Sequence, residues 1–443
     1  MSSPDHVPGS KPAGRQAVSD PSGPRIPMRK QVVSLVLLPI LLGLVAGVLV
    51  SAAAWVFEDL ALNSLVQSTS IWIGLVPFAA LPLSGLALWF VAGTFWPSTN
   101  ELYILNANTP EKRMPVGEIP GRVLAGGVTA GCGGAQGLES PSASIGSAVG
   151  TVLEQRAGRW IPSQHHGFLM MSGASAGIAA IFSSPAVGAL YGLEVPYRRG
   201  LDPRPILPAA IAAGVAVLVR WLMVGLDPLI PQAGGGVRLD WTVVLLGLLL
   251  AVVCGLGARL FAVGANTARS LRRRTSPIRS ALIGSFLLVG IAYLGWSVSS
   301  QWVTLGPGHA MFDWATHESR AIHLLLIVLV IHALATMTCV FGGGGGGVFT
   351  SLAATGALLG CSADLVPGVS APEYFLPMIG AACLLSAAYR IPIAGWLMIV
   401  EWGGGLEAML LGAVCVWVSK LCVGSITIAP AQAPRYERAP QVV

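Results

Sequence analysis

Long apolar stretches alternate with short polar ones along this chain. The apolar runs are Val32–Phe57, Ile71–Val91, Ile206–Val219, Trp241–Val263, Ser280–Trp296 and Ile322–Val340. Several approach the roughly 20 residues that a helix needs to cross a bilayer. They do not resemble the alternating segments of about ten residues that build a membrane β-barrel. The pattern predicts an all-α polytopic membrane protein. Composition agrees: 54% of the 443 residues are apolar and only 10% are charged, against about 25% charged in a soluble domain. Glycine (55) and proline (31) are abundant. In a membrane this points to broken, closely packed helices as well as loops.

Polar segments set the expected topology. Residues 1–30 are rich in Pro, Ser, Gly and charge without periodicity, and read as a disordered tail. Lys11, Arg15, Arg25, Arg29 and Lys30 precede the first apolar run, which places that end in the cytoplasm. A basic loop is expected at Arg269–Arg274 with Arg279, and a weaker one at Tyr197-Arg198-Arg199, both on the same side. The net charge of +6 therefore reads as membrane topology and not as nucleic-acid binding. A short tail follows Ile428, so both termini are expected in the cytoplasm.

The chain repeats itself. Phe182-Ser-Ser-Pro185-Ala-Val-Gly188 leads to Glu194, and Tyr389-Arg-Ile-Pro392-Ile-Ala-Gly395 leads to Glu401. The two are 207 residues apart. Upstream, Gly137 to Gly150 is matched by Gly347 to Gly360, with Gly146 over Gly356, at an offset of 210. Two patterns in one order at nearly one spacing define two similar halves, 31–224 and 241–428, joined by 225–240 and followed by the tail 429–443. Matched halves with Gly/Pro-interrupted apolar segments point to a transporter-like site where the halves meet. The pattern alone leaves an inverted and a parallel repeat equally open.

The chemistry concentrates around Glu139. Small residues run from Gly131 to Gly137, then come Leu138, Glu139, Ser140 and Pro141, then a helix-compatible apolar run. Proline suits a first helical turn, because its missing N–H needs no partner there. Such a start exposes amides and the positive end of the helix dipole, which together form an anion site. An acid inside an apolar region is costly and is usually functional; the plainer alternative is an N-terminal acid on a soluble helix. The six glycines Gly342–Gly347 before Val348-Phe349 lack the Gly-Lys-Ser/Thr ending of a phosphate loop. As repeat partner of the Glu139 segment, they form a second helix start or serve close helix packing. Glu194 and Glu401 could relay protons, but their matched positions favour a shared structural role at helix ends. Arg122 and Arg390 either set local potential or sit in ion pairs. The seven cysteines all fall in apolar segments without metal-ligand spacing. No histidine, including His165, His166 and His332, joins a catalytic constellation. No enzyme activity, metal or cofactor is expected.

These residues resemble the CLC family of chloride channels and anion/proton antiporters. Gly137-Leu138-Glu139-Ser140-Pro141 is similar to that family's Gly-Arg/Lys-Glu-Gly-Pro motif, and Gly347-Val348-Phe349-Thr350-Ser351 to its Gly-x-Phe-x-Pro motif. The resemblance implies two inverted halves of tilted, partly broken helices, assembled as a homodimer with one pore per subunit. It implies that Glu139 is the gate, that Val348 and Phe349 amides bind the central anion, that the amides of Leu138 and Glu139 line the outer site, and that Gly137 belongs to the anion-binding set. The family's Gly-Ser-Gly-Ile-Pro motif has no recognisable counterpart near Trp96–Glu101; Ser98 and Thr99 are the candidates for its serine. Leu138 replaces the basic residue and Ser351 the proline. A gapless match puts Gln432 at the late tyrosine, with Tyr436 the nearest tyrosine. Val195 stands where coupled members often carry a second glutamate. The resulting expectation is a channel or transporter for chloride in a bacterial inner membrane, with channel-like passive flux. The alternatives are a proton-coupled antiporter for chloride, fluoride or nitrate, and an unrelated inverted-repeat solute transporter. The partners implied are an inorganic anion, the lipid bilayer and a second copy of the chain.

Overall fold

The computed structural model describes residues 27–95, 100–109, 113–226, 228–231, 240–317, 320–368, 371–403 and 405–433. The first half contains α1 (Met28–Val66), α2 (Ile71–Ala92), α3 (Asn100–Ala107), α4 (Ile119–Gly131), α5 (Glu139–Arg156), α6 (Phe168–Phe182), α7 (Pro185–Glu194) and α8 (Ile206–Val224). The second contains α9 (Trp241–Arg274), α10 (Pro277–Ser299), α11 (His309–His317), α12 (Ile322–Gly342), α13 (Phe349–Asp364), α14 (Phe375–Tyr389), α15 (Pro392–Gly403) and α16 (Leu406–Val423). Among the described residues, 7 helices are long and apolar enough to cross a membrane. Leu245, Leu260 and Phe286 on α9 and α10 are more than two-thirds exposed. Such apolar outer faces suit lipid tails, which remove any penalty for leaving them uncovered. The protein is an all-α polytopic membrane protein.

The repeat is inverted, and the backbone shows it. Gly137 and Gly347 form an antiparallel bridge. These are each other's repeat mates, so equivalent segments run in opposite directions where they meet. Unusual backbone conformations recur at the same offsets. Gly133 and Gly343 both have positive φ, as do Gly167 and Tyr374, and Ser183 and Arg390. A non-glycine residue in the left-handed region is uncommon, so two such residues at matched positions mark one geometry built twice. After Ser183 and Arg390, the amides of Ser184 and Ile391 close the same wide turn, onto Ala179 O at 3.1 Å and Ser386 O at 2.9 Å. This satisfies carbonyls that the ends of α6 and α14 would leave bare.

Small residues let the buried helices approach closely. A Cβ on Gly146 of α5 would lie 1.8 Å from Gly173 O on α6, and one on Gly356 of α13 would lie 2.3 Å from Gly380 O on α14. Backbones in direct contact supply the packing that apolar burial cannot supply in lipid.

One expected loop is not a loop. Arg269–Arg274 forms the last turns of α9, a helix of 34 residues. Cations are stabilised at a helix C-terminus, and these arginines have acceptors there. Arg269 Nη1 donates to Ile428 O at 2.8 Å, and Arg272 Nη2 to Phe95 O at 3.1 Å. Arg122 is ion-paired with Glu118 at 2.8 Å, and Arg390 donates to the carbonyl oxygens of Arg198 and Gly424.

Gly146→Ala should lower the unfolding temperature in detergent sharply, because overpacking costs about 1–3 kcal/mol or more when backbone must move. Gly290→Ala on α10, where a Cβ meets nothing within 4 Å, should leave it unchanged or slightly raised. Circular dichroism melts of both variants check the contrast.

Candidate functional site

The two helix starts meet at the Gly137–Gly347 bridge. Gly137 N donates to Gly347 O at 3.0 Å, and Gly347 N to Gly137 O at 2.7 Å. The flanking loops are tied in as well. Gly345 N donates to Thr129 Oγ1 at 3.2 Å, and Ser351 Oγ to Ala135 O at 3.0 Å. The hydroxyl of Ser351, where the family motif has proline, thus anchors α13 to the opposite loop.

Glu139 opens α5 and is 1% exposed. Its carboxylate reaches across the bridge. Oε1 accepts the Thr350 amide at 2.8 Å, in the first turn of α13. Oε2 has no hydrogen-bond partner among the described residues. The space it occupies exists because two neighbours lack side chains: a Cβ on Gly137 would stand 2.5 Å from Oε1, and one on Gly347 would stand 2.4 Å from Oε2. The carboxylate therefore sits on a helix N-terminus of the opposite half, where a negative group is stabilised by aligned amides.

The mate of Glu139 in the second half is Phe349, and it is 1% exposed. Its ring lies 4.5 Å from that of Phe182, 5.3 Å from Tyr191 and 5.7 Å from Tyr389, centroid to centroid. Phe182 and Tyr389 are the aromatics that begin the repeated motif. Leu138 and Val348, the residues before the two helix starts, are both buried. Ser98, Thr99 and Tyr436 lie outside the described residues. Gln432 lies inside them, 3% exposed. Its Nε2 donates to Val195 O at 2.9 Å and Tyr389 O at 2.7 Å, and its Oε1 accepts from Thr427 Oγ1 at 2.8 Å. An amide with both ends engaged joins the C-terminal segment to both halves.

Glu194 and Glu401 act reciprocally. Glu194, at the end of α7, accepts the amides of Ile393 and Ala394 at 3.1 and 2.8 Å at the start of α15. Glu401, on α15, accepts those of Ala186 and Val187 at the start of α7, both at 3.2 Å. Each acid caps the repeat mate of its own helix, which is the shared structural role expected from their matched positions. Among the described residues, no group of three or more His, Cys, Asp or Glu side chains could hold a metal ion.

Sequence reasoning passed over Glu58. The apolar run read from the sequence ends at Phe57, whereas α1 continues to Val66 and carries Glu58 beyond that run. Glu58 lies in the π-helical stretch Trp55–Leu62 of α1, a distortion that often marks function. Glycines on α4 admit it: a Cβ on Gly127 would strike the Phe57 ring at 2.4 Å. Glu58 Oε1 accepts the amide of Leu138 at 3.3 Å. The Glu58-Asp59 pair ending an apolar run was the available signal.

The molecule is thus a helical membrane protein of two inverted halves, with a buried carboxylate held between their helix starts. A family profile described as voltage gated chloride channel matches residues 85–424, and the chain belongs to this family, the CLC anion transporters. It is 25% identical over 385 residues to the H(+)/Cl(-) exchange transporter ClcA of Citrobacter koseri, covering 83% of this chain and 80% of the relative. Against the ClcA of Salmonella paratyphi B it is 25% identical over 388 residues, covering 84% and 80%. The fold matches that of a slow cyanobacterial Cl-/H+ antiporter with a TM-score of 0.77 at 19% identity, over 89% of this chain and 96% of that one. It matches a CLC-type fluoride/proton antiporter with a TM-score of 0.76 at 22% identity, over 91% and 98%. Family membership removes an unrelated inverted-repeat transporter from the alternatives.

Glu401→Ala should strip two amides of α7 of their acceptor and lower stability by about 1–2 kcal/mol, the usual range for a lost cap. Glu194→Ala should do the same at α15. Thermal unfolding in detergent measures both; an unchanged midpoint in either would refute the reciprocal caps.

Proposed function

We propose that this protein is a homodimeric exchanger of an inorganic anion, chloride first, for protons across a bacterial inner membrane, with Glu139 as the gate. The observation that carries the reading is the Glu139 carboxylate on the Thr350 amide. A carboxylate held by a helix-start N–H occupies what is in effect an anion position, and a permeating anion competes for the same donors. When Glu139 leaves or takes up a proton, the amides of Val348, Phe349 and Thr350 become available to the anion. Gly137 and Leu138 then flank its path. Exchange requires that one group bind either the anion's donors or a proton, and a carboxylate can do both. The two ClcA exchangers and the two antiporters compared above are proton-linked, which favours exchange over the passive channel suggested by the residues alone.

A specific observation favours passive conduction as the second reading. Val195 is fully buried and offers no titratable group, and adjacent Glu194 is engaged by two amides of α15. A proton path on that side then needs a water chain or another acid.

Both readings keep Glu139 as gate and both termini in the cytoplasm, and one experiment separates them. A chloride gradient is imposed on proteoliposomes at equal pH. Uphill proton movement in fixed ratio to chloride supports exchange; brisk chloride efflux without it supports the channel. Glu139→Gln should raise passive chloride flux and abolish any proton movement. Flux and proton movement that are both unaltered in this variant would refute the gate.

A further inference from the structure

A cavity of about 240 Å³ adjoins the Glu139 site. It lies between the end of α1, α8 and the start of α11. Asp59 and Asp313 line it and are exposed, so water screens them. Glu58, Arg220 and Thr350 line it more deeply. Thr350 supplies the amide that holds Glu139, so the cavity reaches the gate.

Two observations in this cavity belong together. The Leu138 amide, just ahead of α5, is already taken by a carboxylate, Glu58 Oε1. Arg220 is 6% exposed, and among the described residues its Nε and Nη1 have no hydrogen-bond partner. A buried guanidinium with unpaired donors is expensive. Arg220 and Glu58, of opposite charge type, line the same cavity. The cavity is thus lined by a cation with unpaired donors and by a carboxylate that occupies a helix-start amide.

We propose that this floor is an outer binding site for a small monovalent inorganic anion, and that Glu58 is its resident carboxylate, a second gate in series with Glu139. The proposal rests on reading Glu139 as an anion gate. Leu138 N–H and the Arg220 guanidinium are the site's donors. When Glu58 turns away, Arg220 keeps the site positive and an arriving anion takes the vacated amide. The anion then stands beside the second carboxylate, on the Thr350 amide. Two amides, each held by its own carboxylate, make permeation a pair of exchanges, each replacing one negative group by another. Leu138, where the family motif is basic, leaves the site without a charge from the motif itself, and Arg220 brings one from α8.

The test measures chloride dependence of flux in proteoliposomes and bromide binding by calorimetry on the full chain. Arg220→Gln should raise the half-saturating chloride concentration and weaken bromide binding by about tenfold, the scale of one charge-assisted hydrogen bond. Glu58→Gln should remove the competing charge, tighten binding by a similar factor and raise flux. Arg220→Gln risks misfolding by stranding Glu58, so Arg220→Lys and the Glu58→Gln/Arg220→Gln pair are run beside it. The double variant is expected to bind more weakly than Glu58→Gln alone. Wild-type constants in Glu58→Gln and in whichever Arg220 variants stay monodisperse would overturn the outer site. Glu139→Gln is the separate control. Its failure to change flux sinks the underlying gate, whereas altered flux there with wild-type constants in the others sinks the outer site alone.

Discussion

Two amide hydrogen bonds between Gly137 and Gly347 hold the candidate site together. Irregular backbone is tolerated at membrane depth only where protein satisfies it. The loops ahead of α5 and α13 meet this condition by satisfying each other. Because the paired residues are repeat mates, the local two-fold axis runs through their bridge. Both helix starts are therefore aimed at one region, where the positive ends of two helices converge. Thr129 and Ser351 reinforce the pairing from opposite sides.

On this symmetric frame the site itself is one-sided. Equivalent positions carry Glu139 in one half and Phe349 in the other. The first projects a charge onto the partner helix; the second fills an aromatic cluster with Phe182, Tyr191 and Tyr389. One face of the crossing point is polar and closed by a carboxylate, and the other is apolar and closed by rings. The glycines decide where each group fits, since a single methyl on Gly137 or Gly347 would occupy the carboxylate's space.

Much of this was legible from residues alone, for identifiable reasons. Glycine, proline and glutamate at fixed spacing announced the repeat because those types are demanded by backbone geometry, which both halves share. Glu139 stood out as a lone acid at a helix start. The capping role of Glu194 and Glu401 followed from their matched positions. What stayed hidden depends on approach between distant segments. Glu58 meets Leu138 only because the π-helical turn of α1 nests against glycines of α4, and Arg220 matters only through the cavity it shares with Glu58. The direction of the repeat also needed the antiparallel bridge. Arg269–Arg274 misled as a loop because a basic cluster suits the end of a helix as well as a loop beyond it.

The reciprocal caps bear on how the chain is made. A ribosome releases α7 into the bilayer some two hundred residues before Glu401 exists, and during that interval the α7 amides at Ala186 and Val187 lack their acceptor. The first half is a nascent fragment with an open helix end, and so is the second half without Glu194. Neither can mature ahead of the other. Completion of both is one event, reached when the last helices arrive, and a polypeptide truncated before Glu401 would present quality-control proteases with an unsealed α7.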